Sequence, residues 1–100
     1  MIVRWLPRAR RELWALRRYI AQDQPAAATR IAQHILAAVE RLGQYPFYGR
    51  AAPWDSRGLL RELPVAGTPF VVVYEVNDTM GAVIVLRVIH GAQRRDQEQV

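Results

Sequence analysis

One hundred residues make room for a single domain and leave too little chain for two. A hydrophobic fraction of 51% is ample for a core and excludes disorder. The absence of cysteine excludes disulfides, thiol nucleophiles and thiolate metal sites. All 14 basic residues are arginine, so no mechanism that needs a lysine base is open to this chain.

The charge is also unevenly placed. Residues 1–22 hold Arg4, Arg8, Arg10, Arg11, Arg17 and Arg18 against Glu12 alone, a surplus equal to the whole-chain net charge of +5. A basic element of this kind suits an acidic partner, either a protein segment or nucleic-acid phosphate; the alternative is a solvated helix face that serves solubility. No apolar run approaches the ~20 residues of a membrane span, and Met1 to Pro7 lacks a signal-peptide pattern. The expectation is a soluble, cytoplasmic protein with no membrane partner and no cofactor.

Met1 to Leu6 is apolar and β-branched, the pattern of a short strand, and Pro7 suits the first turn of a helix. Leu6, Ala9, Leu13, Leu16 and Ile20 then recur every three or four residues, one stripe of an amphipathic helix. Trp14 lies off that stripe with Arg10, Arg17 and Arg18 as neighbours. A tryptophan ringed by guanidiniums is a candidate interface anchor; packing against an aromatic loop is the alternative. Gln22 to Pro25 interrupts the pattern, and Ala28, Ile31, Ile35, Val39 and Leu42 form a second stripe that ends at Gly43. So short a linker predicts an antiparallel helical hairpin.

Gln44 to Gly58 has proline, glycine and four aromatics but no period, and its aromatics are expected to plug the end of the core. Leu59 to Val65 alternates as a strand, and Phe70–Val76 and Ala82–His90 read as a hairpin about Asn77 to Gly81. A polar tail starts at about Gly91. The order β-α-α-β-β-β predicts an α+β domain over residues 1–100, with a helical hairpin on one face of a small antiparallel-rich sheet. Strict alternation puts Val83, Val85, Arg87 and Ile89 on one face of the last strand, and Ile84, Leu86, Val88 and His90 on the other. If the helices cover the Ile84, Leu86 and Val88 side, then Arg61, Leu63, Val85, Arg87 and Ile89 form a bare face that waits for a partner chain. His34 reads as a solvated surface residue, and two distant histidines without clustered acids do not make a metal site.

Several segments carry a resemblance. Arg61-Glu-Leu-Pro-Val65, Gly67-Thr-Pro-Phe-Val-Val-Val-Tyr74 and Leu86-Arg-Val-Ile-His-Gly-Ala-Gln-Arg94 stand in the order found in the ParE branch of the RelE/ParE toxin superfamily. Leu42 to Pro46, Gly49-Arg50 and the Pro25-Ala-Ala-Ala helix start resemble it too, so the likeness spans residues 1 to about 95. It implies the toxin of a type II toxin–antitoxin pair, bound by a cognate antitoxin on the Arg61, Leu63, Val85, Arg87 and Ile89 face, as a homodimer or a heterotetramer with antitoxin. RelE-type relatives cut messenger RNA on the ribosome, which needs a base, cations on the phosphate and an acid. Arg61, Arg87 and His90 are the candidates for such a nuclease, but no base accompanies them. ParE-type relatives inhibit DNA gyrase, which fits better, with Arg10, Trp14, Arg17, Arg18 and Arg50 as the candidate target interface. An inactive binding or corepressor module is the remaining alternative.

Overall fold

The structure is a computed structural model and describes residues 1–93. A strand β1 (Ile2–Trp5) leads through Pro7 into helix α1 (Pro7–Ala21), and Pro25 opens helix α2 (Pro25–Leu42). Both prolines stand at helix starts, where the missing N–H costs nothing. Strands β2 (Arg50–Ala51), β3 (Leu60–Pro64), β4 (Phe70–Asn77) and β5 (Ala82–His90) follow, and a 3-10 turn covers Gly91–Gln93. The two-residue β2 is an element that the aperiodic 44–58 stretch did not announce. Beyond Gln93, the expected polar tail lies outside the described residues.

The five strands form one sheet in the order β1-β5-β4-β3-β2. β1 runs parallel to β5, and every other pairing is antiparallel. The α1–α2 hairpin lies on one face. Beneath it Ala9, Ile35, Val39 and Leu42 meet Leu63, Val65, Val72, Tyr74, Val83, Val85 and Val88 in the main core. The α2 stripe read from the sequence supplies that core, whereas α1 contributes only Ala9 as a fully buried residue.

One irregularity re-aims the last strand. Val73 pairs with Arg87 and Tyr74 pairs with Val85, so Leu86 is an unpaired extra residue, a β-bulge. An inserted residue exchanges the faces of everything after it. Val83 and Val85 therefore face the helices before the bulge, and Val88 faces them after it.

This overturns the expected assignment of faces. Leu63 and Val85 lie in the core beneath the helices. Leu86, expected beneath the helices, belongs instead to a second cluster with Leu60, Val71 and Val73, where Ile89 lies on the face expected of it. Nor is the second face bare: Ala52 and Trp54, from the connection between β2 and β3, pack onto that cluster. Five of its members, Ala52, Leu60, Val71, Val73 and Ile89, are buried.

Candidate functional site

The expected site residues are scattered, and the three nuclease candidates, Arg61, Arg87 and His90, each have a structural partner that explains their place. Arg61 sits on the helix-facing side of β3, between Leu60 and Glu62, which point the other way. Its Nε donates to the Gly49 carbonyl at 3.1 Å, and its second guanidinium nitrogen donates to Gly49 O at 2.6 Å and Phe47 O at 3.2 Å. Its carbon also lies 5.2 Å from the Phe47 ring centroid, within cation–π range. Arg61 thus ties the approach to β2 onto β3 and does not look out from an open face.

Arg87 stands where β5 has run past the end of β1 and its edge is free. Its guanidinium donates to Glu12 on α1, from Nε at 2.9 Å and from a terminal nitrogen at 2.7 Å. The Val88 N–H donates to the same carboxylate at 3.1 Å. Glu12 therefore takes the place of a neighbouring strand, satisfying an edge N–H and neutralising Arg87 together. The i,i+4 contact from Arg8 to Glu12 is a longer 3.9 Å. The expected exposure of Arg87 is corrected by this ion pair.

His90 ends β5 with its ring edge-on to Phe70, centroids 5.7 Å apart, and its Nδ1 accepts from the Ala92 N–H. Along β5 it follows Arg87 at odd spacing, with no bulge between them. The three nuclease candidates point to three places: the β2 edge, α1, and the 3-10 turn after β5.

The residues missed from the sequence lie between β2 and β4. Glu62 is fully buried on β3, accepting from Arg50 Nε at 2.8 Å and from the Trp54 indole at 3.2 Å. Tyr74 is fully buried on β4, and its hydroxyl donates to Pro46 O at 2.8 Å while accepting from Gly49 N–H at 2.9 Å. A Cβ on Gly49 would fall 2.6 Å from that hydroxyl oxygen and 2.7 Å from Glu62 O, so only glycine fits. No local pattern singled out this lock, because Glu62 stands beside Arg61 in β3 and Tyr74 beside Glu75 in β4, so neither is the lone polar residue of its strand.

With Tyr74 filling that end of the core, the loop aromatics do not enter it. Tyr45, Phe47 and Tyr48 are 59%, 60% and 63% exposed, contrary to the expected plug, and only Trp54 packs inward.

Trp14 is 59% exposed and does not meet the aromatic loop. Arg17 lies over its ring at 5.9 Å. With Trp5, Arg10, Arg11, Leu13 and Leu36 it lines an apolar groove of about 480 Å³ where β1, α1 and α2 meet. Of the candidate target-interface residues, Arg10, Trp14 and Arg17 come together here. Arg50 belongs to β2, at the other edge of the sheet from β1. Arg18 lies in the last turn of α1. His34 is exposed as expected, with Nδ1 3.3 Å from Ala66 O. Among the described residues no group of three His, Cys, Asp or Glu could hold a metal ion, and no helix is long and apolar enough to cross a membrane.

Comparison with known proteins agrees with this architecture. A chain of the structure titled "Chromosomal ParDE TA system from P. aeruginosa" superposes with a TM-score of 0.76, covering 90% of this chain and 95% of that one at 23% identity. Toxin RelE2 of Caulobacter vibrioides is 41% identical over 89 residues, 89% of this chain and 93% of the relative. Toxin RelE3 of the same organism is 36% identical over 89 residues, covering 89% and 92%. Residues 3–95 match the family described as "ParE toxin of type II toxin-antitoxin system, parDE". The chain belongs to the ParE toxin family.

Proposed function

We propose that this toxin acts by binding DNA gyrase and trapping its cleaved-DNA state, and that a cognate antitoxin neutralises it. The observation that carries the choice of target is the engagement of Arg61 and Arg87. Ribonucleolytic transfer needs cations free to hold the scissile phosphate, with a base and an acid within hydrogen-bond reach of the same phosphodiester. Here Arg61 is spent on the Gly49 and Phe47 carbonyls and Arg87 on Glu12. His90 stands beside Phe70, away from both. Tyr74, the nearest phenol on the central strand, is buried with both hydrogen-bonding capacities used. A toxin that works by binding needs none of these groups free.

The groove about Trp14 is the proposed seat of the antitoxin. It offers apolar depth from Trp5, Leu13 and Leu36 and a rim of Arg10, Arg11 and Arg17. An acidic amphipathic segment has the matching chemistry. Leu63 and Val85, on which the sequence placed the antitoxin, are inside the core.

The test is purified protein in two assays. Inhibition of gyrase supercoiling with accumulation of linear DNA, and intact ribosome-bound mRNA, is the expected result. Cleavage of mRNA without any effect on gyrase would overturn the gyrase reading.

A further inference from the structure

We propose that the part of the second sheet face left uncovered by Ala52 and Trp54 is a self-complementary surface on which a second copy of this chain docks. This goes beyond the gyrase reading and does not depend on it. The ladder pairs Arg4 with Ile84, and Ile84 with Glu75, so these three side chains stand in one row across β1, β5 and β4. Their neighbours fix the face. Val3, Trp5, Val76 and Val83 all join the core beneath the helices, and strand alternation turns Arg4, Glu75 and Ile84 to the opposite side. Ile84 and Glu75 are half-buried, Arg4 is exposed, and Ile2, on the same face of β1, is 62% exposed. The cover stops short of them: Trp54 reaches Glu62 on β3, and the cluster it joins includes neither Ile2 nor Ile84.

The charges select the partner. Adjacent strands are about 4.8 Å apart, so the backbones at Arg4 and Glu75 flank Ile84 at that distance on opposite sides. Among the described residues neither side chain makes an ion pair, with the other or with any third group. A two-fold axis that runs along β5 through Ile84 exchanges the two sides of the row. It lays Ile84 on Ile84 of the partner subunit, Arg4 opposite Glu75 of the partner subunit, and the reverse pair on the other side. Two ion pairs then flank an apolar centre, across the ~10 Å usual between sheets packed face to face, a gap that arginine and glutamate bridge together. The same operation removes a steric obstacle. The connection that carries Trp54 adds a layer on the β3 side of Ile84; in the second copy it falls beyond β1, over the exposed Ile2. A purely acidic or purely basic partner would answer one of the two charges and oppose the other. A surface that carries both in reverse order answers both, and this face is its own complement.

The experiment is sedimentation velocity of the free toxin over a range of concentrations, on wild type, Arg4→Glu, Glu75→Arg and the double exchange Arg4→Glu/Glu75→Arg. Expected is a concentration-dependent dimer whose dissociation constant rises about ten-fold or more in either single variant, where like charges meet. The double exchange rebuilds both pairs with their signs reversed and should return the constant to within about three-fold of wild type. Circular dichroism and thermal melting check that each variant folds. Salt weakening of the wild-type dimer is a second readout that needs no variant. Four results would each overturn the proposal: a wild-type protein that stays monomeric, single exchanges that dimerise as tightly as wild type, a double exchange no tighter than the singles, or dissociation that follows Trp14→Ala and not the exchanges. A toxin that is monomeric alone, and whose affinity for its antitoxin falls in Arg4→Glu, assigns the face to the antitoxin and overturns it equally.

Discussion

On α1, Arg10, Arg11 and Arg18 have no carboxylate partner among the described residues, and Arg17 meets only the Trp14 ring. In the sheet-bearing half, Arg50, Arg57, Arg61 and Arg87 all end on named acceptors: Glu62, Asp55, the Gly49 and Phe47 carbonyls, and Glu12. The same side chain supplies long-range charge in one region and short-range geometry in the other. What separates them is the supply of acceptors. A loop crossing a sheet edge leaves carbonyls and buried acids to satisfy, whereas a helix has consumed its own carbonyls and leaves its guanidiniums to solvent. The region with free charge is the one able to recruit a partner; the region with tied charge holds the fold.

The sharpest way to break that contrast is at the lock behind the turn. Gly49→Ala forces a methyl against a buried hydroxyl and a strand carbonyl, neither able to retreat. A loss of about 3 kcal/mol, the upper part of the range for overpacking, is expected from urea denaturation. Tyr74→Phe keeps the ring but leaves Gly49 N–H and Pro46 O without their partner, at an expected cost of about 2 kcal/mol. If both variants denature like wild type, the loop is not held from below.

Among the described residues, Glu12 is the acid that joins the two regions. Glu12→Ala should cost about 1–2 kcal/mol, because it strands a largely buried guanidinium and the Val88 edge N–H together. Glu12→Gln should cost less, since its amide oxygen can still accept from Val88. Equal melting temperatures for the two variants would mean that the charge on Arg87, and not the edge N–H, carries the effect.

These same residues show where the sequence was legible. Helical stripes, the hairpin and the proline-started helices follow from local spacing, and they stand where the spacing put them. The faces of β5 did not follow, because alternation assumes an uninterrupted ladder and Leu86 is an unpaired insertion. No glycine marks that bulge, which shows only in the pairing of β5 with β4; nor does local spacing reveal that Arg87 meets Glu12, 75 residues away in sequence. Arg61 was misread for a related reason, since its acceptors are carbonyls of an aperiodic loop and main-chain acceptors leave no trace in side-chain patterns. The groove about Trp14 was partly legible, because an off-stripe tryptophan among arginines is a helical-wheel observation. Trp5 and Leu36, which complete it, come from other elements.

A smaller effect separates a tied carboxylate from a free one by pH. Burial opposes ionisation of Asp55, but the Arg57 guanidinium and the backbone N–H groups of Leu60, Leu59 and Arg57 outweigh it and hold its pKa down to about 2, from an ordinary 3.8. A carboxylate with a lowered folded pKa stabilises the native state above its unfolded value and loses that contribution as pH falls through the folded one. Stability should therefore decline between about pH 4 and pH 2, and Asp55→Asn should flatten that part of the curve in denaturation series. An unchanged slope would assign the acid sensitivity to other carboxylates.

The smallest expected change in stability belongs to the free side of the comparison. Trp14→Ala removes a side chain that is mostly in water already, so the folding free energy should move by no more than about 0.5 kcal/mol. Its effect should instead appear in binding. An exposed tryptophan above an apolar groove and beneath an arginine is the kind of anchor whose truncation weakens a complex about ten-fold or more. Titration calorimetry with the cognate antitoxin, beside thermal melting of the free toxin, separates the two quantities. Weakened binding with unchanged melting supports a recruiting surface on α1. Unchanged affinity would move the antitoxin off this groove, and lowered melting would place Trp14 with the structural residues despite its exposure.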